Sequence, residues 1–590
     1  MATKVDVLVV GGGPVGTLTA AQLCRFKCTV ITIEKEDKPS LPVYGRGTTM
    51  WCRTLEMLDQ LDLCERLLEN ACYTKEGFNF RNGIPTKGGM PFGQRMHQHI
   101  DTRFAFALHL RQRFIERAFE DALDAFDSSP RHRTELVDFT MDTFKEYPVK
   151  SRVKDLVDGT EYEVHSKYIL GCDGAHSSVR RIAGIQFSGE RSANKWIRID
   201  ATVHTNMPSP RCLNSVQSES HGLVLWCPID DGKVRLGYVF NADLQKKYGE
   251  EGITAEVVME EAKKAIHPFS LTFEKLDWFT CYGIGQSIAE TFMRDRVILV
   301  GDSCHTHSSG SAQGLNTGVF DAVNLAWKLA LHLRGIGSSD LLASYNSERR
   351  GAVQQVIDND KIIATLISGY LPPKFKDRKD HPRDILDEFF QDEDTNAFTV
   401  GLGVAYSPEN LINVPSVPGA MSCVKSGSRG PDAFVFRLGT NEKLPLQRLM
   451  PNNATFYVVI FTGNPQNTLA KLRLLRLHLD QSGPASFATA FGKGVITTLT
   501  ILGDEGIAVS EVMGGIRSFG RSYYDPTQEA HRIYGIDPKV GALVVFRPDG
   551  WVGCVAALDQ PDTLLEYFGR FLVPADAQIT HAKLSKLDGV

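Results

Sequence analysis

The segment 301–316, GDSCHTHSSGSAQGLN, concentrates residues that could do chemistry. Cys304, His305 and His307 would suit a metal ion, but no further cluster of metal ligands stands near them in the sequence. Cys304 beside His305 would suit a nucleophile with its base, yet adjacent side chains on one loop rarely face each other. The remaining interpretation is a loop that holds a large flat ligand, with Asp302 as its working residue. We expect scaffold histidines here and no metal site.

A second candidate site begins the chain. The apolar run 5–10 (VDVLVV) predicts a buried parallel strand, and the glycine-rich segment 11–16 (GGGPVG) follows it. The pattern over 14–26 predicts a helix, and 29–33 predicts a second strand that ends at Glu34. This strand–turn–helix–strand order with a terminal acid is typical of dinucleotide binding.

Each residue of this motif has a physical reason. Gly11 permits a tight turn, Gly13 lets the backbone approach a pyrophosphate at the helix N-terminus, and Gly16 allows the helix to pack closely on the strand. Pro14 stands near the first helical position, where a missing N–H costs nothing. Glu34 can accept hydrogen bonds from a ribose. The motif alone does not separate FAD from NAD.

Two more acids stand at predicted strand ends. Asp173 follows the apolar run 168–171, and Asp302 follows the run 296–300. An aspartate in such a place can hold the hydroxyls of a polyol. A long helix is expected over 319–333, and the free N–H groups that begin a helix favour negative charge, such as that of a reduced flavin ring.

These motifs together resemble a known family. GxGxxG with Glu34, DG at 173–174 and GD at 301–302 are similar to those of the class A single-component FAD-dependent aromatic hydroxylases, which have the p-hydroxybenzoate hydroxylase fold. The likeness is strongest to the phenol hydroxylase branch and covers nearly the whole chain. It is carried by RGTTMWCRTLEML (46–58), RQRFIERAF (111–119), GDSCHTHSSGSAQGLNTGVFDAVNLAWKLA (301–330) and LLASYNSERR (341–350).

The resemblance implies a set of residues that contact FAD. The set comprises Gly11, Gly13, Pro14, Val15 and Gly16 around the pyrophosphate, Glu34 and Lys35 at the adenosine side, Arg46 near the pyrophosphate, Gln112 near the ribityl–flavin junction, Asp173 in support of the cofactor, Asp302 at the ribityl chain, and Gly314, Leu315 and Asn316 at the flavin pyrimidine edge.

The resemblance also implies the chemistry. NADPH or NADH reduces FAD, O2 adds at flavin C4a, and the resulting hydroperoxide hydroxylates a phenolic or polyketide-type aromatic substrate. The alternative on the same fold is Baeyer–Villiger insertion of oxygen, or epoxidation. A dehydrogenase or reductase that bypasses O2, and a non-catalytic module that binds a partner, are the remaining hypotheses.

The catalytic residues of phenol hydroxylase are not preserved. Thr48 stands at the position of its aspartate, and Gly237, two residues after Arg235, at that of its tyrosine, so that Tyr238 is out of step. Arg235, Tyr238 and Tyr282 remain the candidates for holding a substrate oxygen. Ser309 replaces a proline that relatives often carry beside the flavin. The substrate is therefore expected to differ from simple phenol.

The predicted fold class is α/β. A Rossmann-type FAD-binding domain carries an inserted β-rich substrate domain and precedes a C-terminal thioredoxin-like domain. The expected parts are 1–185 for FAD binding, with 75–110 contributing to the substrate domain, 186–285 for the substrate sheet, 286–412 for the rest of the FAD domain and a helical arm, 413–432 for a linker, and 433–590 for the thioredoxin-like domain. Gly463-Asn464-Pro465-Gln466 stands where a redox thioredoxin carries CxxC, so we expect this domain to serve packing or homodimer formation.

Composition narrows the partners. The net charge of −5 and the absence of a basic run argue against nucleic acid. No apolar run approaches the roughly 20 residues of a membrane span, and the N-terminus lacks a signal-peptide pattern. The 12 scattered cysteines fit reduced thiols in the cytoplasm. A small aromatic molecule is the expected partner.

Overall fold

The computed structural model describes residues 3–86, 101–249, 251–407, 410–415, 422–480, 487, 490–504, 506, 508–575 and 577. The longer gaps lie in three predicted regions: 87–100 within 75–110, 416–421 within 413–432, and 481–486 and 578–590 within the last domain. The domain boundaries themselves stay predictions.

The helices of the described residues are α1 Pro14–Arg25, α2 Cys52–Asp59, α3 Cys64–Leu68, α4 Gln112–Asp124, α5 Ser178–Ile182, α6 Ala242–Tyr248, α7 Ala255–Ala265, α8 Gln313–Leu333, α9 Ser339–Ile367, α10 Pro382–Gln391, α11 Glu393–Thr399, α12 Pro465–Leu479, α13 Val509–Val512, α14 Glu529–Ile533 and α15 Asp562–Gly569.

The strands of the first 171 residues are β1 Thr3–Val10, β2 Val30–Ile33, β3 Thr49–Met50, β4 Cys72–Thr74, β5 Gly77–Arg81, β6 Ile84–Thr86, β7 Ala107–His109, β8 Thr134–Met141, β9 Val149–Asp155 and β10 Glu161–Gly171. The following strands are β11 Phe187–Thr205, β12 Leu213–Ser218, β13 Gly222–Pro228, β14 Val234–Phe240, β15 Leu271–Ala289, β16 Met293–Arg294, β17 Val297–Leu299 and β18 His305–Thr306. The last are β19 Phe434–Arg437, β20 Lys443–Pro445, β21 Phe456–Phe461, β22 Ile496–Leu502, β23 Arg521–Tyr524, β24 Ala542–Phe546 and β25 Val552–Ala556.

The first sheet contains the predicted nucleotide-binding strands. Its order is β16-β17-β10-β1-β2, with β1, β2, β10 and β17 parallel, and β9 and β8 are added beside β10. Residues 7–10 of β1 are buried because helices cover both faces of a parallel sheet. Since β1, β10 and β17 are parallel neighbours, the turns that follow them meet at one edge of the sheet. That edge carries Gly11, Asp173 and Asp302.

The second sheet forms the wall opposite that edge. Its order is β18-β15-β11-β14-β13-β12-β5-β6, in which the long strands β11 and β15 pair antiparallel over most of their length. β15 extends to Ala289, past the expected boundary at 285. The strand β18, from the segment 301–316, joins this sheet through Ile288 and so connects it to the first.

The third sheet belongs to the C-terminal region, in the order β20-β19-β23-β22-β21-β24-β25. The predicted βαβαββα order is present, with parallel β21 and β22 and the antiparallel hairpin of β24 and β25. The strand β23 was not predicted, because RSYY is short and its pairing with β22 is visible only in three dimensions.

Helix α8 lies at the centre of the molecule. Nearly all of it from Asn316 to Leu331 is buried, because it packs against α1 on one side and α9 on another. Trp327 meets Phe456 of the C-terminal sheet edge to face, with ring centroids 5.4 Å apart. All 12 cysteines are free thiols. Among the described helices, none combines the length and apolar character that crossing a bilayer demands.

Candidate active site

The turn after β1 has the geometry that its glycines suggest. Gly11 has φ of +105°, and a Cβ there would lie 2.4 Å from the carbonyl oxygen of Cys172. A Cβ on Gly16 would lie 1.9 Å from the oxygen of Gly11, which accounts for close packing of α1 on the turn. A Cβ on Gly13 would meet nothing within 4 Å. Gly13 therefore faces open space at the N-terminus of α1, whereas Gly16 is a packing residue.

Glu34, at the end of β2, closes this turn from the side. Its Oε2 accepts a hydrogen bond from the Gly12 N–H at 2.8 Å, and its Oε1 accepts one from Glu36 N–H at 2.9 Å. Lys38 donates to the Gly12 carbonyl at 2.7 Å and lies 3.6 Å from Glu34 Oε2. The carboxylate is thus fixed beside the glycine turn, next to the exposed Lys35.

Asp173 follows the parallel neighbour of β1. Its Oδ2 caps α5 by accepting from the N–H groups of Ser178 at 2.6 Å and Val179 at 3.2 Å. Its Oδ1 is buried and has no hydrogen-bond partner among the described residues. Burial raises the pKa of Asp173, although the hydrogen bonds oppose this effect. A polar ligand beside Oδ1 would satisfy the free acceptor.

Asp302 lies in the turn after β17. It is half-buried, and its carboxylate makes no hydrogen bond within the described part of the chain. The N-terminus of α8 follows, where Gly314 and Leu315 face the same space. The residue before the helix, Ala312, adopts the left-handed backbone conformation with φ of +54°. A carboxylate and a helix N-terminus therefore meet at one place.

The two histidines of this segment differ in their surroundings, since His307 lines the cavity with its Nδ1 3.0 Å from the Ser308 carbonyl oxygen, whereas His305 lies in a buried polar cluster. His305 Nε2 lies 2.7 Å from Asp321 Oδ2, and Arg349 Nε lies 2.7 Å from Asp321 Oδ1. Cys304, His305 and Asp321 are close enough to surround an ion, but the Asp321 oxygens already accept from Arg349, His305 and the N–H of Gly301. This buried group anchors the loop to α8 and α9.

The loop 45–47 is held from two sides. Gln112 Oε1, at the start of α4, accepts from the Gly47 N–H at 3.1 Å. Arg235 of β14 donates to the carbonyls of Gly45 at 2.7 Å and Arg46 at 2.6 Å, while Asp200 pairs with its Nε at 2.6 Å. Arg235 therefore positions the loop, and the exposed Arg46 side chain is left over the ring of Tyr282, 5.1 Å from its centroid.

One cavity of about 1370 Å³ connects these features. Its lining includes the GxGxxG turn and, on the opposite wall, residues of the second sheet. That wall is formed by Arg198, Leu213, Leu225, Cys227, Arg235, Gly237, Trp278 and Tyr282. Ligand cavities usually measure about 300–1,000 Å³. This one has room for a dinucleotide and a second molecule.

Two thiols also line the cavity, Cys172 at the glycine turn and Cys227 on the sheet wall. Burial raises the pKa of Cys172 well above its usual value and that of Cys227 to about 12. Both are therefore neutral thiols at physiological pH.

Comparison with known families shows which cofactor the protein binds. Residues 4–360 match the FAD binding domain family, and residues 404–576 match the C-terminal dimerisation domain of phenol hydroxylase. The chain belongs to the FAD-binding family. It is a flavoprotein monooxygenase with an FAD-binding domain and a C-terminal dimerisation domain.

Relatives match this chain over nearly their whole length. The chain is 29% identical to 3-hydroxybenzoate 4-monooxygenase of Comamonas testosteroni, over 97% of this chain and 95% of the relative. It is 27% identical to a phenol 2-monooxygenase of Aspergillus fumigatus, over 96% of both proteins.

The fold is that of solved hydroxylases. Anhydrotetracycline hydroxylase OxyS of Streptomyces rimosus superposes with a TM-score of 0.71 at 21% identity, over 97% of this chain and 100% of the other. Aklavinone-11 hydroxylase in complex with FAD and aklavinone gives 0.65 at 20% identity, over 97% of this chain and 99% of the other.

The cavity of this flavoprotein fits FAD. The open space at Gly13 suits the pyrophosphate, the unpartnered carboxylate of Asp302 suits the ribityl hydroxyls, and the free Oδ1 of Asp173 awaits a donor. Most residues expected to contact the cofactor line this cavity: Gly11, Gly13, Pro14, Val15, Glu34, Lys35, Arg46, Gln112, Asp173, Asp302, Gly314 and Leu315.

Two of the expected cofactor residues do not line the cavity. Gly16 lies behind the turn, as its packing requires. Asn316 is 2% exposed, its Oδ1 accepts from the N–H of Trp51 at 2.9 Å, and its Nδ2 donates to Thr49 at 2.9 Å. The Asn316 side chain therefore joins α8 to the segment before α2, and both of its amide atoms are engaged in hydrogen bonds within the protein.

The structure corrects the expectation that Tyr238 contacts the substrate. Successive side chains of a strand point to opposite faces, so Arg235 and Gly237 line the cavity while Tyr238 points away. Its hydroxyl donates to the carbonyl of Val258 at 2.9 Å, and the side chain is 1% exposed. Tyr282 does line the cavity, where its hydroxyl bonds with that of Ser309.

Arg198 is a cavity residue that the sequence reasoning missed. It lies on β11 in the run WIRIDATV, where its side chain alternates with those of Ile197 and Ile199. A lone arginine inside an apolar strand is an available signal, because burying a charge needs a compensating partner.

Proposed function

We propose that the protein hydroxylates a phenolic or polyketide-type aromatic substrate, with NADPH or NADH as electron donor and O2 as oxygen source. One oxygen atom of O2 enters a ring C–H bond as hydroxyl. The other leaves as water, with two electrons and a proton from the reduced nicotinamide and a further proton from solvent. Bound FAD supplies the electron transfer and the activation of O2.

The observation that carries the proposal is the single cavity shared by the flavin-binding edge and the second sheet. Trp278, Leu213 and Leu225 offer apolar surface for an aromatic ring on the sheet side. The relatives' names support this substrate class, since they include a hydroxybenzoate, phenol, anhydrotetracycline and aklavinone. A cavity of about 1370 Å³ leaves room for more than one ring beside the cofactor.

The chain's own residues orient the reactants. Asp302 and the first-turn N–H groups of α8 would hold the cofactor, and the helix N-terminus would stabilise negative charge on it. The hydroxyls of Tyr282 and Ser309 meet at the sheet wall, where they can donate to a substrate oxygen. Thr48 lines the cavity and supplies a hydroxyl, which is a poor base. A substrate whose ring hydroxyl ionises readily fits this wall best.

Purified, FAD-loaded protein tests the proposal. Phenols, hydroxybenzoates and fused-ring phenols would be screened for O2-dependent NADPH and NADH oxidation, and products formed under isotopically labelled O2 analysed by mass spectrometry. We expect one labelled hydroxyl on the ring. Stimulated NADPH oxidation that needs no O2 would indicate a dehydrogenase, and a labelled ring ester would indicate oxygen insertion. Either result would contradict the proposal.

Two further properties belong to the same proposal. The match of 404–576 to a dimerisation domain supports a homodimer, which light scattering of the full chain would check. The free thiols support a cytoplasmic location, because an oxidising compartment favours disulfides. Fractionation of the producing cells, with detection in the soluble fraction, would check the second.

A further inference from the structure

Arg198 is a buried cation that faces the cavity without a counter-ion. Its side chain is 6% exposed, and no carboxylate oxygen of the described residues lies within 4.0 Å of it. Its Nη1 donates to the carbonyl of Ile197 at 3.1 Å, and its Nη2 donates to Ser309 Oγ at 2.6 Å. Other guanidinium N–H donors are left for a ligand, since five are available.

The neighbouring Arg235 on the same wall is neutralised, as is Arg111, which lies outside the cavity lining. Arg235 pairs with Asp200 at 2.6 Å, and Arg111 donates to Asp230 at 2.7 Å. Asp200 lies two residues from Arg198 on the same strand, yet both of its oxygens are bonded by Arg235. The Arg198 guanidinium also lies over the ring of Trp196, 4.9 Å from its centroid, but it has no counter-ion among the described residues. A buried charge without a counter-ion is costly unless a partner arrives. The positive charge of Arg198 is therefore available to an anion that enters the cavity.

The space for Arg198 exists because residue 237 is glycine. Arg198 and Gly237 are direct cross-strand partners of β11 and β14. A Cβ on Gly237 would lie 2.2 Å from Arg198 Nη1. The sequence resemblance places a tyrosine at this position in phenol hydroxylase. In this chain the position is glycine, and the Arg198 guanidinium occupies the space beside it.

The hydroxyls beside Arg198 complete a rim of donors. Ser309 Oγ accepts from Arg198 and is bonded to the Tyr282 hydroxyl, so one chain of hydrogen bonds runs from the guanidinium to the tyrosine. Both hydroxyl-bearing residues line the cavity. An anionic oxygen bound here would receive charge-assisted hydrogen bonds.

We propose that Arg198, with Ser309 and Tyr282, binds an anionic oxygen of the substrate, and that this selects aromatic compounds bearing a carboxylate. The inference rests on the proposed function and assigns its substrate class. Carboxylate is favoured because the guanidinium fork matches its two oxygens. An ionised phenol carries the same charge on a single oxygen and is distinguished below.

The test measures ligand binding to FAD-loaded protein through the change in flavin absorbance, without turnover. The matched probes are 3-hydroxybenzoate against 3-hydroxybenzamide, and 3-hydroxy-2-naphthoate against its amide. At least one acid should bind about tenfold or more tightly than its amide, and Arg198→Gln should abolish that preference. Arg198→Lys should keep part of it. The matched control is Arg191→Gln, an exposed arginine of the same cavity, which should leave the ratio unchanged.

A second pair of variants tests the same site through its space. Gly237→Ala should displace the guanidinium and lower the acid-to-amide ratio. Gly283→Ala should leave the ratio unchanged, since a Cβ there meets nothing within 4 Å. Comparing the binding of 4-nitrophenolate with that of 4-nitroanisole tests whether the site prefers an ionised phenol.

Several outcomes would overturn the inference. The first is that the acids bind no better than their amides or do not bind, and the second is that the preference for the acids survives Arg198→Gln. The third is an Arg198→Lys protein that folds but loses FAD, because this result would assign the charge of Arg198 to the cofactor. A preference for 4-nitrophenolate alone would reject the carboxylate. Selective binding of the acids without O2 consumption would contradict the proposed function and leave this anion site standing.

Discussion

Arg547 and Glu348 form a fully buried ion pair that joins the C-terminal region to α9. Arg547 Nη1 lies 2.6 Å from Glu348 Oε1, and Nη2 lies 2.9 Å from Oε2. Lys328 of α8 lies 2.7 Å from the same carboxylate, and Asp549 lies 2.6 Å from Arg547. The C-terminal sheet is therefore tied by charge to the helices that support the cofactor loop.

Removing the Arg547 guanidinium should strongly destabilise the whole chain. Arg547→Met leaves Asp549 buried without its cation and Glu348 with Lys328 alone, so we expect the free energy of unfolding to fall by about 3–5 kcal/mol. Urea denaturation followed by tryptophan fluorescence measures this. Arg517→Met is the control, because its partner Asp480 lies 3.1 Å away in a pair exposed by 77% and 45%, and should cost at most about 1 kcal/mol. Equal effects would contradict the assignment.

Acid should weaken the same junction. Burial opposes ionisation of Glu348, but the charges of Arg547 and Lys328 bring its pKa down to about 2. Because an unfolded glutamate titrates near about 4.3, this contribution is complete above roughly pH 5 and is lost as pH falls towards 2.

Urea midpoints between pH 7 and pH 3 would measure this loss. Glu348→Gln should flatten the acid slope, whereas Glu566→Gln, at an exposed site, should keep it. A slope unchanged in Glu348→Gln would show that other carboxylates dominate.

The glycines of the first turn should separate folding from cofactor binding. Gly13 has φ of −69° and open space around its missing side chain, so Gly13→Ala should keep the stability of the apoprotein but purify with little FAD. Gly16→Ala places a Cβ 1.9 Å from Gly11 oxygen and should disturb the fold itself. Flavin absorbance and thermal melting of the apoprotein give the two readings. Full flavin in Gly13→Ala would show that the pyrophosphate lies elsewhere.

Asp302 should contribute to FAD affinity through its free carboxylate. Loss of hydrogen bonds to a charged group costs about 1.5–3 kcal/mol, so Asp302→Ala should weaken FAD binding by roughly 10–150-fold. Titration of the apoprotein with FAD measures the dissociation constant. Asp377→Ala removes an exposed carboxylate and serves as the control. An Asp302→Ala protein with unaltered affinity would reject the ribityl role.

Local sequence patterns were sufficient to predict the first strands and the first helix of the FAD-binding sheet. The expected strand over 5–10, helix over 14–26 and strand over 29–33 correspond to β1, α1 and β2 within two residues at each end, since glycines and apolar runs are read from neighbours in the chain. The strands β21 and β24 were likewise predictable. Asp302 could be placed because it directly follows a buried strand.

The substrate wall depended on information that is not local. Arg198 meets Gly237 across two strands and Ser309 from a third segment, and no spacing along the chain reveals this arrangement. The side of the strand that Tyr238 occupies was available in principle. Because Arg235 faces the loop 45–47, the period of two already directs Tyr238 to the other face.

Cys172 and Cys227 line the cavity in which we propose that oxygen is activated. Thiolate, and not thiol, is the form that peroxide converts to sulfenic acid. With their pKa values raised by burial, to about 12 in Cys227, these two sulfurs present almost no thiolate at neutral pH. Oxidation of these two cavity residues by the enzyme's own peroxide should therefore be slow.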